Sequence, residues 1–414
     1  MTPRITIVTA GHLSSCPRML KAADAVFNAG YRVRVVSARH TPWASQADLT
    51  VRATRRWDWT VVDYDRSTAR RRQLLTGVRF HMARAAAKSI GPSRVPLPVA
   101  IRAYSRAHDE LIRAIASEPA DFVYGGTTGA LAAAAEAGRR LGVPYALDLE
   151  DFHSAEVGGK DGELPNALAE RIERQILEGA AFLTAGSPMI AEAYAEKYGV
   201  HPRPIHNTFS LGRHVPVARE AGRPLRLYWF SQTLGPDRGL EAVIEAAGRA
   251  DVAAELHLRA RAIPAYLHTL RHLQRERAPS LSLVHHEPAA PDDMVALAQA
   301  FDAGLSCEDS NSLNRQICLN NKIFTYLAAG VPVVMSATLA QARLARDLDR
   351  AALIYAPGDV DALAGHIQRL AKDGDLRRCS RLAARAAAER RWHWEHADDR
   401  GALLDAVDRV VARS

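Results

Sequence analysis

The sequence predicts an α/β protein with two doubly wound Rossmann-like domains that face each other across a cleft. Short apolar runs rich in β-branched residues alternate with alanine-rich, helix-compatible segments along most of the chain. A length of 414 residues is sufficient for two domains that each bury a core. The alternation stops at residues 209–224 and then restarts, so we expect a first domain over 1–208, a linker over 209–224 and a second domain over 225–390. A final helix over 391–414 could cross back to the first domain.

The composition, with 48% hydrophobic and 24% charged residues, is that of an ordinary soluble globular protein. The first four residues run directly into ITIVTA without a signal-peptide pattern, and no apolar stretch is long enough to span a membrane, so we expect a cytoplasmic protein. The cysteines lack close metal-ligand or redox spacing, which predicts free thiols and no structural zinc: Cys16, Cys307, Cys318 and Cys379.

The largest charge asymmetry is a block that begins at Arg66, ends at Arg106 and contains no Asp or Glu. Apolar residues are interspersed among the basic ones: Leu74, Leu75, Val78, Phe80 and Met82. This pattern suits an amphipathic helix on an anionic surface, such as the inner face of the cell membrane, and it also suits a solvated helix hairpin that packs on its own domain. No nucleic-acid partner is expected, because regularly interleaved aromatic residues and a recognisable binding module are missing.

The first domain opens with a predicted strand over residues 5–9, a loop that contains Gly11, a helix over 18–29 and a strand over 33–36. Such a βαβ unit places its first loop at the sheet edge where ligands bind. The loop has no GxGxxG pattern, which disfavours a dehydrogenase-type dinucleotide site. Further elements are predicted in this order: strand and connection 51–64, helix 108–117, strand 121–124, helix 129–141, strand 144–149, helix 167–177, strand 182–185, helix 188–198 and strand 203–206.

Carboxylates and an imidazole follow the predicted strand over 144–149, at Glu150, Asp151 and His153. A carboxylate next to an imidazole can deprotonate an acceptor hydroxyl or orient it, so these three residues are the catalytic candidates. The structural alternative for His153 is helix capping or domain packing. The run DLED is also similar to a metal-binding DxD motif, but short acidic runs are common and we predict no metal site.

The second domain contains the most informative stretch, residues 301–335. Strands are predicted around that stretch at residues 225–230, 254–258, 281–284 and 352–355. Helices are predicted at 239–250, 264–274, 291–300, 359–372 and from 376 onward. The stretch itself reads as a strand ending at Ser306, a polar loop, a helix from Lys322 and, after Gly330, a second strand. Its loop lies where a parallel strand ends and a helix begins, which is where open α/β sheets bind ligands.

Lys322 lies in the first turn of that predicted helix, where exposed N–H groups and the helix dipole already favour an anion. A cation at this end of a helix indicates a negatively charged ligand. The alternative is that Asn320 or Asn321 caps the helix and that Lys322 is a solvated surface residue.

Four segments resemble the GT-B-fold glycosyltransferases, the nucleotide-sugar-dependent enzymes of the broad family 4 type. They are SSCPRMLKAADAVFNAGYRVRVVS, ALDLEDFHS, SQTLGPDRGLEAVIEA, and NNKIFTYLAAGVPVV with the preceding DAGLS. The most specific are Gly-x-x-Arg-Gly at residues 235–239 and Asn-Lys-x-Phe-x-Tyr-Leu-Ala-x-Gly at 321–330. The resemblance covers nearly the full length, and it implies that the second domain binds the nucleotide sugar and the first the acceptor.

The resemblance assigns the donor diphosphate to Arg238 and Lys322, with Arg261 and Gly11 as further candidates. Departure of a nucleoside diphosphate develops negative charge on the β-phosphate, which cations and helix N–H groups stabilise without a metal or other cofactor. The alternative for Arg238 is an ion pair with a neighbouring acid, Asp237 or Glu241.

One departure from the family concerns two glutamates, eight positions apart, whose places are taken by Ile317 and Thr325. The second glutamate normally holds the nucleotide ribose, and the single hydroxyl of Thr325 is a weaker partner than a carboxylate. The candidates for binding the ribose or the donor sugar are therefore Thr325 itself, Glu308, Asp309, Asn311, Asn314 and Asn321.

We therefore expect a hexosyl-type glycosyltransferase, cytoplasmic or peripheral on the membrane, that moves a sugar from a nucleoside diphosphate sugar to a hydroxyl acceptor. A glycan or lipid-linked glycan acceptor and a role in polysaccharide biosynthesis fit the basic block, and the family alone implies a retaining reaction. Two alternatives stay open: a non-catalytic GT-B-fold protein that binds a nucleotide or a partner, and a GT-B-related nucleotide-sugar epimerase.

Overall fold

The computed structural model describes residues 2–212, 223–308 and 311–412. The chain divides into two compact units, each with its own parallel sheet. The first unit comprises Met1–His206, Ser312–Asn314 and Ala397–Ser414, and the second comprises Asn207–Asn311 and Arg315–His396. Most of the predicted linker, residues 213–222, lies outside the described residues, as does Asp309.

The first unit has a seven-stranded parallel sheet in the order β3-β2-β1-β4-β5-β6-β7. Its strands are β1 (Arg4–Thr9), β2 (Arg32–Arg39), β3 (Asp58–Asp63), β4 (Phe122–Gly126), β5 (Tyr145–Leu149), β6 (Leu183–Ala185) and β7 (Arg203–Pro204). Its helices are α1 (Pro17–Asn28), α2 (Pro42–Thr54), α3 (Arg70–Ile90), α4 (Leu97–Tyr104), α5 (His108–Ala116), α6 (Leu131–Leu141), α7 (Glu163–Ile176) and α8 (Pro188–Tyr198).

The second unit has a six-stranded parallel sheet in the order β10-β9-β8-β11-β12-β13. Its strands are β8 (Leu225–Leu234), β9 (Ala254–Ala262), β10 (Leu281–His286), β11 (Ala303–Ser306), β12 (Val333–Ser336) and β13 (Ala352–Tyr355). The helices that follow α8 are α9 (Leu240–Ala250), α10 (Pro264–Arg277), α11 (Met294–Ala298), α12 (Leu313–Ile317), α13 (Asn321–Ala328), α14 (Leu339–Leu348), α15 (Val360–Lys372), α16 (Gly374–Arg390) and α17 (Ala402–Val411).

Both sheets confirm the predicted α/β class with doubly wound order. The central strands are buried on both faces because helices cover each side, so they read as continuous apolar runs. Gly126 in β4 allows α1 to pack closely on the sheet, since a Cβ at this position would lie 2.5 Å from the sulfur of Met19. Within the part of the chain that the structure describes, no helix is both long enough and apolar enough to cross a membrane.

Two predicted elements are corrected by the structure. Residues 51–54 are the end of α2 rather than strand, because Pro42 starts a helix whose Val51 is buried on the domain; the strand begins only at Asp58. The segment over 391–414, predicted as one helix, is divided between the units. Its residues up to His396 belong to the second unit, and the turn from Ala397 and α17 belong to the first.

Candidate active site

Lys322 is buried at the start of α13, just beyond the carboxyl end of β11. Its Nζ lies 3.5 Å from Oε1 of Glu308, which is also buried, and 5.7 Å from the ring centroid of Trp229. The two predicted donor-binding residues Lys322 and Glu308 are therefore brought together. The alternative of a solvated surface lysine is wrong, because only 8% of Lys322 is exposed.

The amino terminus of α13 carries no side-chain cap. Asn320 occupies the N-cap position without a side-chain hydrogen bond to the helix, and the first turn contains no acidic residue. The Asn321 side chain instead accepts a hydrogen bond of 2.5 Å from the amide of Asn207. The first N–H groups of the helix and its dipole therefore favour an anion at this end of α13, where Lys322 lies in the first turn.

Arg238 lies in the loop between β8 and α9. Gly239 has φ +68°, and a Cβ there would lie 2.9 Å from the carbonyl oxygen of Cys307, so the loop packs against the end of β11. Among the described residues Arg238 makes no hydrogen bond or ion pair. Glu241, one of the two acids predicted as an alternative partner of Arg238, instead accepts a hydrogen bond from the hydroxyl of Tyr266 at 2.6 Å. Arg238 is therefore a cation without an internal counterion at the same sheet edge as Lys322.

The two other diphosphate candidates have different surroundings. Arg261 is exposed near the end of β9, paired in register with Thr233 of β8, so its backbone ends at the same sheet edge as the Arg238 loop. Gly11 follows β1 in the first unit, where its carbonyl accepts from the N–H of Ala38 at 3.1 Å. The second unit therefore gathers Arg238, Lys322 and the end of β9, while Gly11 belongs to the other unit.

The ribose and sugar candidates are not equivalent. Thr325 is fully buried, and its hydroxyl donates to the carbonyl of Asn321 at 3.2 Å within α13, so it is poorly placed to replace a family glutamate. Asn311 is exposed. Asn314 belongs to the first unit, where its amide donates to Asp151 at 2.8 Å and accepts from the N–H of Phe152 at 2.8 Å.

His153 forms the centre of a buried polar cluster in the first unit, in a short helical turn after β5. Its Nδ1 lies 2.9 Å from Oε2 of Glu156 and 3.2 Å from the hydroxyl of Thr128 in the loop after β4. Its Nε2 is buried and has no partner among the described residues. The carboxylate of Glu156 therefore orients the ring and leaves Nε2 for a substrate atom.

The charges around His153 determine its protonation. Burial lowers its pKa, but the hydrogen bond and charge of Glu156, with the charges of Glu173 and Asp151, outweigh burial and raise the pKa to about 9. At neutral pH the ring is therefore a cation whose Nε2–H is available as a donor. The predicted role as a base does not suit this state, whereas orienting or polarising a substrate oxygen does.

Glu150 and Asp151 have raised pKa values for related reasons. Burial raises the pKa of Glu150 to about 7 against the opposing charge of Arg18. Burial and the charge of Glu156 raise the pKa of Asp151, whose carboxylate accepts from Asn314. Glu150 is thus the carboxylate best able to exchange a proton near neutral pH.

The DLED run does not present its first carboxylate to a ligand. Asp148 is buried and accepts two hydrogen bonds from Arg18 of α1, of 2.7 and 2.5 Å, and one of 2.5 Å from the hydroxyl of Thr184. Across residues 2–212, 223–308 and 311–412, no group of three or more His, Cys, Asp or Glu side chains is placed to hold a metal ion.

Two family models match the chain and together cover most of it. A model described as "Glycosyl transferase 4-like domain" matches residues 17–208, and one described as "Glycosyl transferase-like" matches residues 257–399. The chain is therefore a glycosyltransferase, with a family 4-like domain over residues 17–208 and a glycosyltransferase-like domain over 257–399. No curated protein sequence matches this glycosyltransferase.

Solved structures show that this glycosyltransferase has the GT-B fold. Sucrose-phosphate synthase from Thermosynechococcus elongatus aligns with a TM-score of 0.69 at 15% identity, over 100% of both chains. Anabaena HepE in complex with UDP-glucose aligns with a TM-score of 0.67 at 13% identity, over 100% of both chains. A TarM variant from S. aureus, in complex with Fondaparinux, alpha-GlcNAc-glycerol and UDP, aligns with a TM-score of 0.65 at 9% identity, over 99% of this chain and 100% of that chain.

Some residues of the glycosyltransferase site were not predicted from the sequence. Glu156 lies three positions after His153, a spacing that brings side chains together in a helical turn, so this signal was available. Thr128 lies in a loop 25 positions away, and only the pairing of β4 with β5 brings that loop to His153.

Loss of Arg18 is expected to destabilise the first unit of the glycosyltransferase. In Arg18→Met the carboxylate of Asp148 stays buried without its counterion, which costs roughly 3–5 kcal/mol of unfolding free energy. Urea denaturation measures this change. The double variant Arg18→Met/Asp148→Leu, which removes both charges, should recover most of the loss, and equal stability of the two variants would contradict the assigned pairing.

Proposed function

We propose that this glycosyltransferase transfers a hexosyl group from a nucleoside diphosphate sugar to a hydroxyl of a glycan or lipid-linked glycan, without a metal or other cofactor and with retention of configuration. The observation that carries the donor half is the uncapped amino terminus of α13 with the buried Lys322 beside it. The unpaired Arg238 at the same sheet edge adds a second cation. This combination suits the two negative charges of a diphosphate better than any neutral ligand.

The chemistry follows from where charge develops. The bond between the anomeric carbon and the β-phosphate oxygen breaks, and the nucleoside diphosphate leaves with the electron pair. Lys322, Arg238 and the N–H groups of α13 stabilise the charge on that leaving group, which is the role a metal ion would otherwise fill. HepE is known in complex with UDP-glucose and TarM in complex with UDP, so UDP is the first donor nucleotide to test.

The first unit takes the acceptor in this proposal. The acceptor oxygen attacks the anomeric carbon on the same face from which the diphosphate leaves, as retention requires, and gives its proton to Glu150, whose pKa of about 7 allows it to be ionised beforehand. The His153 cation donates from Nε2 to a substrate oxygen, held in orientation by Glu156. The proposed setting is polysaccharide biosynthesis in the cytoplasm, at the inner face of the membrane.

A thermal-shift screen tests the donor half. UDP, GDP, ADP, CDP and dTDP and their common sugars are compared with and without Mg²⁺, since a ligand at roughly 100 times its Kd stabilises the native state by about 2.7 kcal/mol. We expect one base to shift the unfolding temperature without Mg²⁺. In Arg238→Ala, which removes no hydrogen bond or ion pair with a described residue, the Kd for that nucleotide should rise at least about tenfold because a charge-assisted hydrogen bond to the ligand is lost.

Arg346→Ala, which removes an exposed arginine from α14, is the matched control and should bind like the wild type. No shift with any nucleotide, or a shift only with Mg²⁺, would contradict the proposed donor site. Binding without transfer to any acceptor would instead favour the non-catalytic alternative, which the buried Thr325 in place of a glutamate also favours. Interconversion of nucleotide sugars would favour the epimerase.

A further inference from the structure

Helix α3 presents an apolar stripe to solvent. Leu74, Leu75, Val78 and Met82 are between 56% and 71% exposed. Positions 74, 78 and 82 follow one another at four-residue spacing, and 75 lies beside them, so the four side chains form one continuous face. The other exposed large apolar side chains of the described residues, apart from Ile90 at the end of α3, are dispersed over the molecule.

The opposite face of α3 fixes the helix on its own unit. That face consists of small buried residues, Thr76, Ala83 and Ala87, and it lies beside α4. Arg79 of α3 forms ion pairs with Asp109 at 3.1 Å and Glu110 at 2.5 Å. The predicted hairpin that packs on its own domain is therefore present, but it leaves the apolar stripe uncovered.

The basic residues of the block divide into two groups. Arg79 and Arg102 are neutralised by acids that follow the block, and Arg106 donates to the carbonyl of Gln73 and the hydroxyl of Thr76. Other side chains make no ion pair or hydrogen bond with a described residue: Arg66, Arg70, Arg71, Arg84, Lys88 and Arg94. Cations without internal partners therefore accompany the apolar stripe on and next to α3.

We infer that α3 is a membrane-contacting helix whose stripe enters the interfacial region of an anionic bilayer while the neighbouring cations contact lipid headgroups. Apolar burial combined with attraction to anionic lipid is the physical basis of such binding. A second copy of the chain is a poorer occupant, because two such faces would bring like charges together. A nucleic acid would leave the apolar stripe unused. The inference rests on the proposed function, because a lipid-linked acceptor would lie in the membrane that α3 contacts.

Vesicle flotation of the full-length protein tests the inference. We expect binding to vesicles of phosphatidylcholine mixed with phosphatidylglycerol, weakened by salt, and little binding to phosphatidylcholine alone. Leu75→Glu/Met82→Glu should lower partitioning at least about tenfold because charge replaces inserted apolar groups. Arg71→Gln/Lys88→Gln should lower it roughly thirtyfold on the anionic vesicles only, since each basic residue near the surface contributes a factor of about five.

The matched control is Leu49→Glu/Leu382→Glu, which places two charges at exposed leucines outside α3 and should bind vesicles like the wild type. Absence of wild-type binding, equal binding to both vesicle types, or unchanged binding of the α3 variants overturns the inference. So does a dimer in sedimentation that the α3 variants dissociate, which would identify a second copy as the occupant. Nucleotide binding in the thermal-shift screen is measured on the same variants, so failure of the membrane inference and failure of the donor site are distinguishable.

Discussion

Replacing Lys322 by methionine is expected to lower kcat/KM for sugar transfer by roughly 10²–10³, the usual loss when one preorganised group that stabilises transition-state charge is removed. The ammonium is buried next to the uncapped end of α13, where little water can take over its role. The same substitution leaves Glu308 buried without its counterion, which should cost roughly 3 kcal/mol of unfolding free energy. Initial rates and urea denaturation measure the two effects separately.

The double variant Lys322→Met/Glu308→Gln separates catalysis from folding. Removal of both charges should restore most of the stability, while transfer should stay as low as in Lys322→Met because the leaving group still lacks its cation. Lys372→Met, at an exposed lysine at the end of α15, should have wild-type activity and stability. If the double variant recovered transfer, Lys322 would serve only to neutralise Glu308.

The regular parts of the fold could be predicted from the sequence because each element carries its own pattern. Apolar runs marked the strands on either side of the Lys322 loop, and Gly330 marked the end of the intervening helix. The prediction of strand and connection over residues 51–64 was wrong for 51–54, since the β-branched, buried Val51 lies inside the helix that Pro42 starts. Packing of α2 on its domain therefore outweighed the preference of Val51 for a strand.

The site was less predictable because its chemistry depends on contacts between distant segments. Arg238 and Lys322 were identified by type and motif, yet only the structure shows that one lacks an internal counterion and that the other is paired with Glu308. The protonation of His153 depends on its own burial and on the hydrogen bond and charge of Glu156, which no local pattern encodes. Sequence alone therefore indicated the residue types, and the fold determines their charge states.

The pH dependence of transfer is expected to form a bell whose upper limb reports the His153 cation. Activity should rise through about pH 7 as Glu150 ionises, and fall through about pH 9 as His153 loses its proton. In Glu156→Gln the main influence that raises the pKa of His153 is gone and burial, which lowers it, remains. The charges of Glu173 and Asp151 still raise the pKa of His153, so the upper limb should move down from about pH 9 toward the lower limb, and the narrower bell should have a lower maximal kcat/KM.

A second readout of the same pair does not require turnover. The pKa of His153 is raised from 6.5 to about 9 on folding, so the pair contributes fully to stability below about pH 6.5 and the contribution is lost as pH rises through about 9. The difference in unfolding free energy between wild type and Glu156→Gln should therefore shrink across that window. Glu163→Gln, at an exposed acid at the start of α7, should reproduce the wild-type profile in both assays. An upper limb that does not move in Glu156→Gln would mean that the proton lost near pH 9 belongs to another group, and His153 would then be a packing residue.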